Sequence, residues 1–154
     1  MVMTGLDIRR ARADEADALT AVAHAAKRHW RYPDEWIELW RRDLTLTPEF
    51  IERHPVHCAV EGGAIVGVYA LVFAAADCEL EHFWVAPARI GSGAGRRLFA
   101  HAVDHCRALG VPRLWITADP NAEGFYAHMG ARRVGEVPST PAGRTLPRLV
   151  LDVA

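Results

Sequence analysis

At 154 residues the chain is long enough for one ordinary domain and too short for two typical ones. Hydrophobic residues at 51% and charged residues at 24% describe a chain that folds around a core, not a disordered one. With 18 basic against 19 acidic side chains and a formal net charge of −1, it lacks the global basic field that nucleic acid or acidic lipid would call for, and only a local basic pocket stays open.

Residues 1–10 contain no apolar run of the kind a secretory leader needs. Residues 6–10 alternate apolar and polar and predict a short first strand. Asp14 reads as the cap of a helix whose apolar face is Leu19, Val22, Ala23, Ala26 and Trp30. Lys27, on that helix, is the only lysine, so a Schiff-base lysine would have to be this one. Arg31-Tyr32-Pro33 breaks the helix, and Asp34 caps a second one with Trp36, Ile37, Trp40 and Leu44 as its stripe. Thr47-Pro48 is an N-cap followed by proline at the first helical position, opening a short helix through Arg53.

From residue 56 the period changes from helical to alternating. Residues 56–61 and 64–74 around Gly62-Gly63 predict a hairpin. The longest apolar run, 64–76, is too short to span a bilayer. Residues 78–85 predict another strand. Residues 91–109 carry a helix, with Leu98, Phe99, Ala102, Cys106 and Leu109 inward and Gly110 closing it. Residues 111–118 form a strand, 121–129 a short helix stopped by Gly130, and 131–137 and 146–153 two last strands around the turn-rich 138–144 loop. The fold class is α/β in the α+β sense: one domain over 1–154, a mixed sheet flanked by helices without regular βαβ alternation. Cys58, Cys78 and Cys106 are odd in number, widely spaced and without a CxxC pair, so neither a disulfide framework nor a zinc knuckle is expected. His101 and His105 have the spacing of a metal pair but no third ligand nearby in sequence, so they read as a solvated face and no metal is expected. A reduced, cytoplasmic protein is the expectation.

The informative stretch is Val85-Ala86-Pro87-Ala88-Arg89-Ile90-Gly91-Ser92-Gly93-Ala94-Gly95-Arg96-Arg97-Leu98, between a strand and a helix. Glycines there let backbone approach a ligand, and the first helical N–H groups point outward at the positive end of the helix dipole. That makes an anion site, most naturally for a phosphate or pyrophosphate, with charge added by Arg96 and Arg97. A Walker A loop is excluded because Gly95 is followed by Arg96, not by Lys-Ser/Thr. A dinucleotide fingerprint counted from Gly91 would need glycine where Arg96 stands. A tight turn that holds no ligand is the competing reading.

These residues resemble the GCN5-related N-acetyltransferase superfamily, whose signature is Gln/Arg-x-x-Gly-x-Gly/Ala after a strand ending in Val-x-Pro. Val85, Pro87, Gly93, Gly95 and Leu98 match, while Ile90 stands where Gln or Arg is usual. A second block, Asn121 to Ala131, is similar to the family's Asn…Ala…Phe-Tyr…Gly segment through Ala122, Phe125, Tyr126 and Gly130; the asparagine position itself holds Asp119. The close resemblance covers about residues 57–137.

The resemblance implies an acyl-CoA N-acyltransferase fold, a mostly antiparallel central sheet splayed between its fourth and fifth strands. It implies acetyl-CoA as co-substrate, with Phe83, Trp84 and Val85 meeting the pantetheine arm, and Ile90, Gly91, Ser92, Gly93, Ala94, Gly95 and Arg96 meeting the pyrophosphate. Asn121 is carried over as a further cofactor contact. Tyr126 is implied as general acid toward the CoA thiolate, and Glu81, then Glu79, as the base that takes the amine's proton, directly or through water; ordinary edge carboxylates are the competing reading of both. His82 is held in reserve as a base. Trp30, Tyr32 and Trp36 border the implied acceptor pocket, although such a stripe also reads as core. Arg144 either reaches the acceptor mouth or is simply solvated. The acceptor implied is a primary amine, of a small molecule rather than a protein. No nucleic-acid or membrane partner is expected, and a homodimer stays open. A non-catalytic acyl-CoA-binding sensor is the alternative function.

Overall fold

Seven strands make one sheet in the order β1-β2-β3-β4-β5-β7-β6 in the computed structural model, which describes residues 5–154; the first four residues of the 1–10 stretch, where no leader is expected, lie outside them. The strands are β1 Asp7–Arg10, β2 Val56–Glu61, β3 Ala64–Ala74, β4 Asp77–Val85, β5 Arg113–Thr117, β6 Arg132–Pro138 and β7 Thr145–Asp152. The helices are α1 Ala16–Arg28, α2 Asp34–Leu39, α3 Pro48–Arg53, α4 Ala94–Ala108 and α5 Glu123–His128. The chain forms two compact units, one from the chain up to Leu71 with His82–Ala102, the other from Val72–Glu81 with Val103–Ala154.

In the first unit β1 runs antiparallel to β2, and β2 to β3, with Gly62 and Gly63 at φ 60° and 81°. Two consecutive residues at positive φ make the turn that glycine supplies without steric cost. Alternation along the paired strands sends Val56, Cys58, Val68 and Ala70 to one side, where they bury with Leu19, Ile37, Trp40, Leu44, Leu46 and Ile51 of the α1–α3 region. Thr47 caps α3 as its sequence requires: the Phe50 N–H donates to Thr47 Oγ1 at 3.1 Å. On the other side a Cβ at Gly67 would stand 3.2 Å from Leu98 of α4 and 3.3 Å from the Trp84 carbonyl, so this glycine is what lets helix and strand close on β3.

In the second unit β5 pairs antiparallel with β7 over Arg113↔Asp152 to Thr117↔Arg148, and β7 pairs antiparallel with β6. The register of β4 on β5 is parallel and takes in Cys78↔Leu114 and Glu79↔Trp115. Leu114, Ile116, Leu149, Val150 and Val153 are buried there, and Cys78 sets its free thiol against that of Cys106 on α4.

Several boundaries differ from the sequence expectation for identifiable reasons. Asp14 does not cap α1; it lies in a 3₁₀ turn over Ala13–Glu15, where Glu15 accepts the Arg12 N–H at 2.8 Å and pairs with Arg9. Asp34 is the first residue of α2, after Pro33. Helix α4 begins at Ala94, not residue 91, because Gly91 and Gly93 take φ values of 83° and 93° that no α-helix contains. Leu109, read as inward, lies beyond the helix end and is 49% exposed. Among the described residues no helix is long and apolar enough to cross a membrane.

Candidate active site

The strand-to-helix turn follows from its glycines. After Val85 the chain makes a 3₁₀ turn over Pro87–Arg89, and Ser92 ties the next bend by donating from Oγ to the Arg89 carbonyl at 2.6 Å. The Ala94 N–H donates to Ser92 Oγ at 3.3 Å, and helical bonding starts with the Arg97 N–H on the Gly93 carbonyl at 3.1 Å. The amides before Arg97 thus lie outside the helical ladder, at its positive end. A Cβ at Gly91 or Gly93 would meet nothing within 4 Å beyond its chain neighbours, so no other part of the protein packs on the turn along those two directions. Ile90 is 49% exposed, and its neighbour Arg89 is tied to Glu61. Neither supplies a polar side chain free to replace the family's Gln or Arg.

Phe83, Trp84 and Val85 lead into this turn from the end of β4 and belong with it to the first unit. The Phe83 ring meets Phe99 edge-on at 5.8 Å, and Trp84 packs against the α1–α3 core. The Trp84 indole N–H donates to His82 Nδ1 at 2.9 Å. His82 is buried beside Phe50, and burial lowers its pKa to about 4. A neutral imidazole that accepts at Nδ1 carries its proton on Nε2, which leaves no lone pair for base work; His82 accepts the indole N–H and packs in the interior.

The second unit holds the expected proton-transfer groups. Glu81 is exposed on β4. Glu79 is half-buried and clamped: Arg148 Nη1 donates to its Oε2 at 2.8 Å, and Nη2 to its Oε1. The same Nη1 donates to Thr117 Oγ1 at 2.9 Å, and the guanidinium carbon stands 4.9 Å from the centre of the Trp115 ring. Sequence reasoning does not single out Arg148. It is legible only as the polar residue of an apolar strand, because its link to Glu79 runs through the β4–β5 and β5–β7 registers. Tyr126 on α5 is 6% exposed. Burial, then the charge of Asp119, raises its phenol above the ordinary value, so the hydroxyl holds its proton throughout the neutral range. Asn121 directs Nδ2 and its backbone N–H to Asp119 Oδ1, at 3.0 and 2.8 Å. Arg144, expected to be solvated or at the acceptor mouth, has a side chain only 12% exposed and reaches Asp119 at 3.8 Å.

The aromatic residues of the implied acceptor pocket divide. Tyr32 and Trp36 stack at 6.0 Å, and both pack on the α1–α3 core. Trp40 completes the group edge-on to Tyr32 at 4.9 Å, and Lys27 sets its ammonium 4.6 Å from the Trp40 ring and 5.1 Å from that of Tyr32. This aromatic box already holds an ammonium of its own. Trp30 is 38% exposed and meets His29 instead. His101 is not on a solvated face: its Nδ1 lies 2.8 Å from the Tyr69 hydroxyl.

Residues 17–131 match the family model described as the Acetyltransferase (GNAT) family. The chain belongs to that family. It is 35% identical over 92 residues to the amino-acid acetyltransferase of Neisseria meningitidis, a match covering 57% of this chain and 21% of that protein. The chain thus corresponds to about a fifth of the length of that curated relative. Among solved structures, a GCN5-related N-acetyltransferase of Rhodopseudomonas palustris superposes with a TM-score of 0.82 at 20% identity, covering 99% of this chain and 98% of that one. The PaiA N-acetyltransferase of Thermoplasma acidophilum, solved in complex with coenzyme A, gives 0.77 at 17% identity, covering 97% and 99%. These likenesses establish the fold.

Proposed function

We propose that the chain, working as one domain over 1–154, moves the acetyl group of acetyl-CoA directly to a primary amine of a small molecule. The observation that carries this reading is the open glycine turn between β4 and α4, with its positive-φ Gly91 and Gly93, in a chain of this family. The pyrophosphate sits on the turn from Gly91 to Arg96, on those amides that the turn's own hydrogen bonds leave open, and the backbone of Phe83, Trp84 and Val85 pairs with the pantetheine arm as an added strand would. Asn121 adds a side-chain contact to the cofactor. The neutral amine attacks the thioester carbonyl. A backbone N–H near Trp84 holds the oxyanion as the C–N bond forms. The C–S bond then breaks, and Tyr126 shares its proton with the leaving thiolate. Glu81, directly or through water, takes the proton the amine loses. Glu79 is the lesser candidate for that work, because Arg148 occupies both of its oxygens.

An amino acid is the acceptor named for the Neisseria relative, and it is a small primary amine of the class proposed here. Trp30, Tyr32 and Trp36 stand as the apolar border of the acceptor site, with the Lys27-filled box behind Tyr32 serving as support. The setting is the cytoplasm, where the free thiols of Cys58, Cys78 and Cys106 stay reduced.

The test pairs binding with turnover. Acetyl-CoA should raise the thermal midpoint, and an amine panel should release free thiol. Glu81→Gln should lower kcat about 100-fold with acetyl-CoA binding intact, within the range of general base contributions. Stabilisation by acetyl-CoA without thiol release from any amine would make the protein an acyl-CoA sensor instead.

A further inference from the structure

We infer that Arg148 is an acceptor-binding residue whose guanidinium takes a carboxylate carried by the amine substrate. The inference rests on the N-acetyltransferase reading and narrows it to amines that bear an acid group.

A guanidinium has five N–H donors in a rigid fork. Three are committed: both on Nη1, to Glu79 Oε2 at 2.8 Å and Thr117 Oγ1 at 2.9 Å, and one on Nη2, to Glu79 Oε1. The remaining pair, Nε–H and the second Nη2–H, forms the side edge of the fork and has no protein partner among the described residues. That edge is the one that receives a carboxylate through two parallel hydrogen bonds. The side chain keeps 24% of its surface exposed, so a ligand can reach it. It is also already immobilised, by Glu79 on one edge and by the Trp115 ring, 4.9 Å away, against its face. A fork fixed beforehand loses little rotamer freedom when a ligand arrives. Glu79 then acquires a second duty, aiming Arg148. Four residues from β4, β5 and β7 form this one cation site, which is more than a surface ion pair needs.

Arg148→Lys isolates the claim, because an ammonium still pairs with Glu79 while the side edge is gone. Thiol release is measured for the proteinogenic amino acids and their carboxamides, for the wild type and Arg148→Lys, with stabilisation by acetyl-CoA as the check on folding. The wild type should favour at least one free acid over its carboxamide by tenfold or more in kcat/KM. Because a carboxamide's amine loses its proton more readily, that preference would not come from the amine. Arg148→Lys should raise KM for the acid about 10- to 100-fold, as loss of a charge-assisted pair does, and leave the carboxamide unmoved. Equal use of acid and carboxamide by the wild type, or an equal loss on both in the variant, overturns the inference and leaves the acetyltransferase reading standing. No thiol release from any amine removes both.

Discussion

The turn from Ala86 to Arg97 and the group Glu79, Trp115, Thr117 and Arg148 are built from different material. The first is consecutive backbone, its shape set by glycines at positive φ. The second is made of side chains from three strands, with Glu79 and Arg148 sixty-nine positions apart in the chain. A turn shaped by backbone tolerates drift in its side chains, and Ile90 stands where the family signature has Gln or Arg. A side-chain site tolerates little, because each of its hydrogen bonds belongs to a named atom.

One side chain breaks this division. His82 stands just before the turn, buried and neutral, accepting the Trp84 indole N–H. Its folded pKa of about 4 lies below the ordinary 6.5, so the unfolded chain binds the proton more readily. Its contribution is complete above pH 6.5 and is lost as pH falls toward 4, a swing of roughly 3 kcal/mol. Denaturant midpoints followed from pH 7 to 4 should show this loss in the wild type and a shallower slope in His82→Gln. Equal slopes would mean that the imidazole is not held neutral, and the turn would then stand on backbone alone.

Among the other side chains of the second unit the sharpest effect is expected at Tyr126. Tyr126→Phe should lower kcat about 100-fold with little change in acetyl-CoA affinity, in the range of general acid catalysis. Burial and Asp119 hold the phenol above its ordinary value of 10, so Tyr126 itself should cause no loss of kcat up to that pH. A basic limb below pH 10 that vanishes in Tyr126→Phe would contradict the raised value; an unchanged kcat would remove Tyr126 from proton transfer.

The same division explains what is legible in the sequence. Element order, the Gly62-Gly63 hairpin, the Thr47-Pro48 cap and the glycine turn are all local, and each stands where the residue pattern puts it. The start of α4 lies three residues later than periodicity predicts, because an apolar pattern cannot register that Gly91 and Gly93 are left-handed. Arg148 escapes sequence reasoning and Arg144 reads as solvated for one reason: their partners, Glu79 and Asp119, are fixed by strand register and loop closure, which one sequence does not encode locally. The aromatic stripe is legible as a cluster, but the ammonium inside it is not, although Lys27 is the only lysine in the chain.

The smallest effects belong to the turn, and their order tests whether backbone carries it. Gly93 sits at φ 93°, and a Cβ added there would meet nothing within 4 Å beyond its chain neighbours, so the first effect of Gly93→Val is backbone strain. Left-handed strain of about 1–2 kcal/mol should weaken acetyl-CoA binding about tenfold, as read by calorimetry. Ile90→Gln restores the family's residue at an exposed position and should shift affinity by less than about threefold, one hydrogen bond to a solvated ligand being worth little net. If Ile90→Gln instead tightens binding by more than Gly93→Val weakens it, the side chain at 90 is the grip, and the missing glutamine is what this turn lacks.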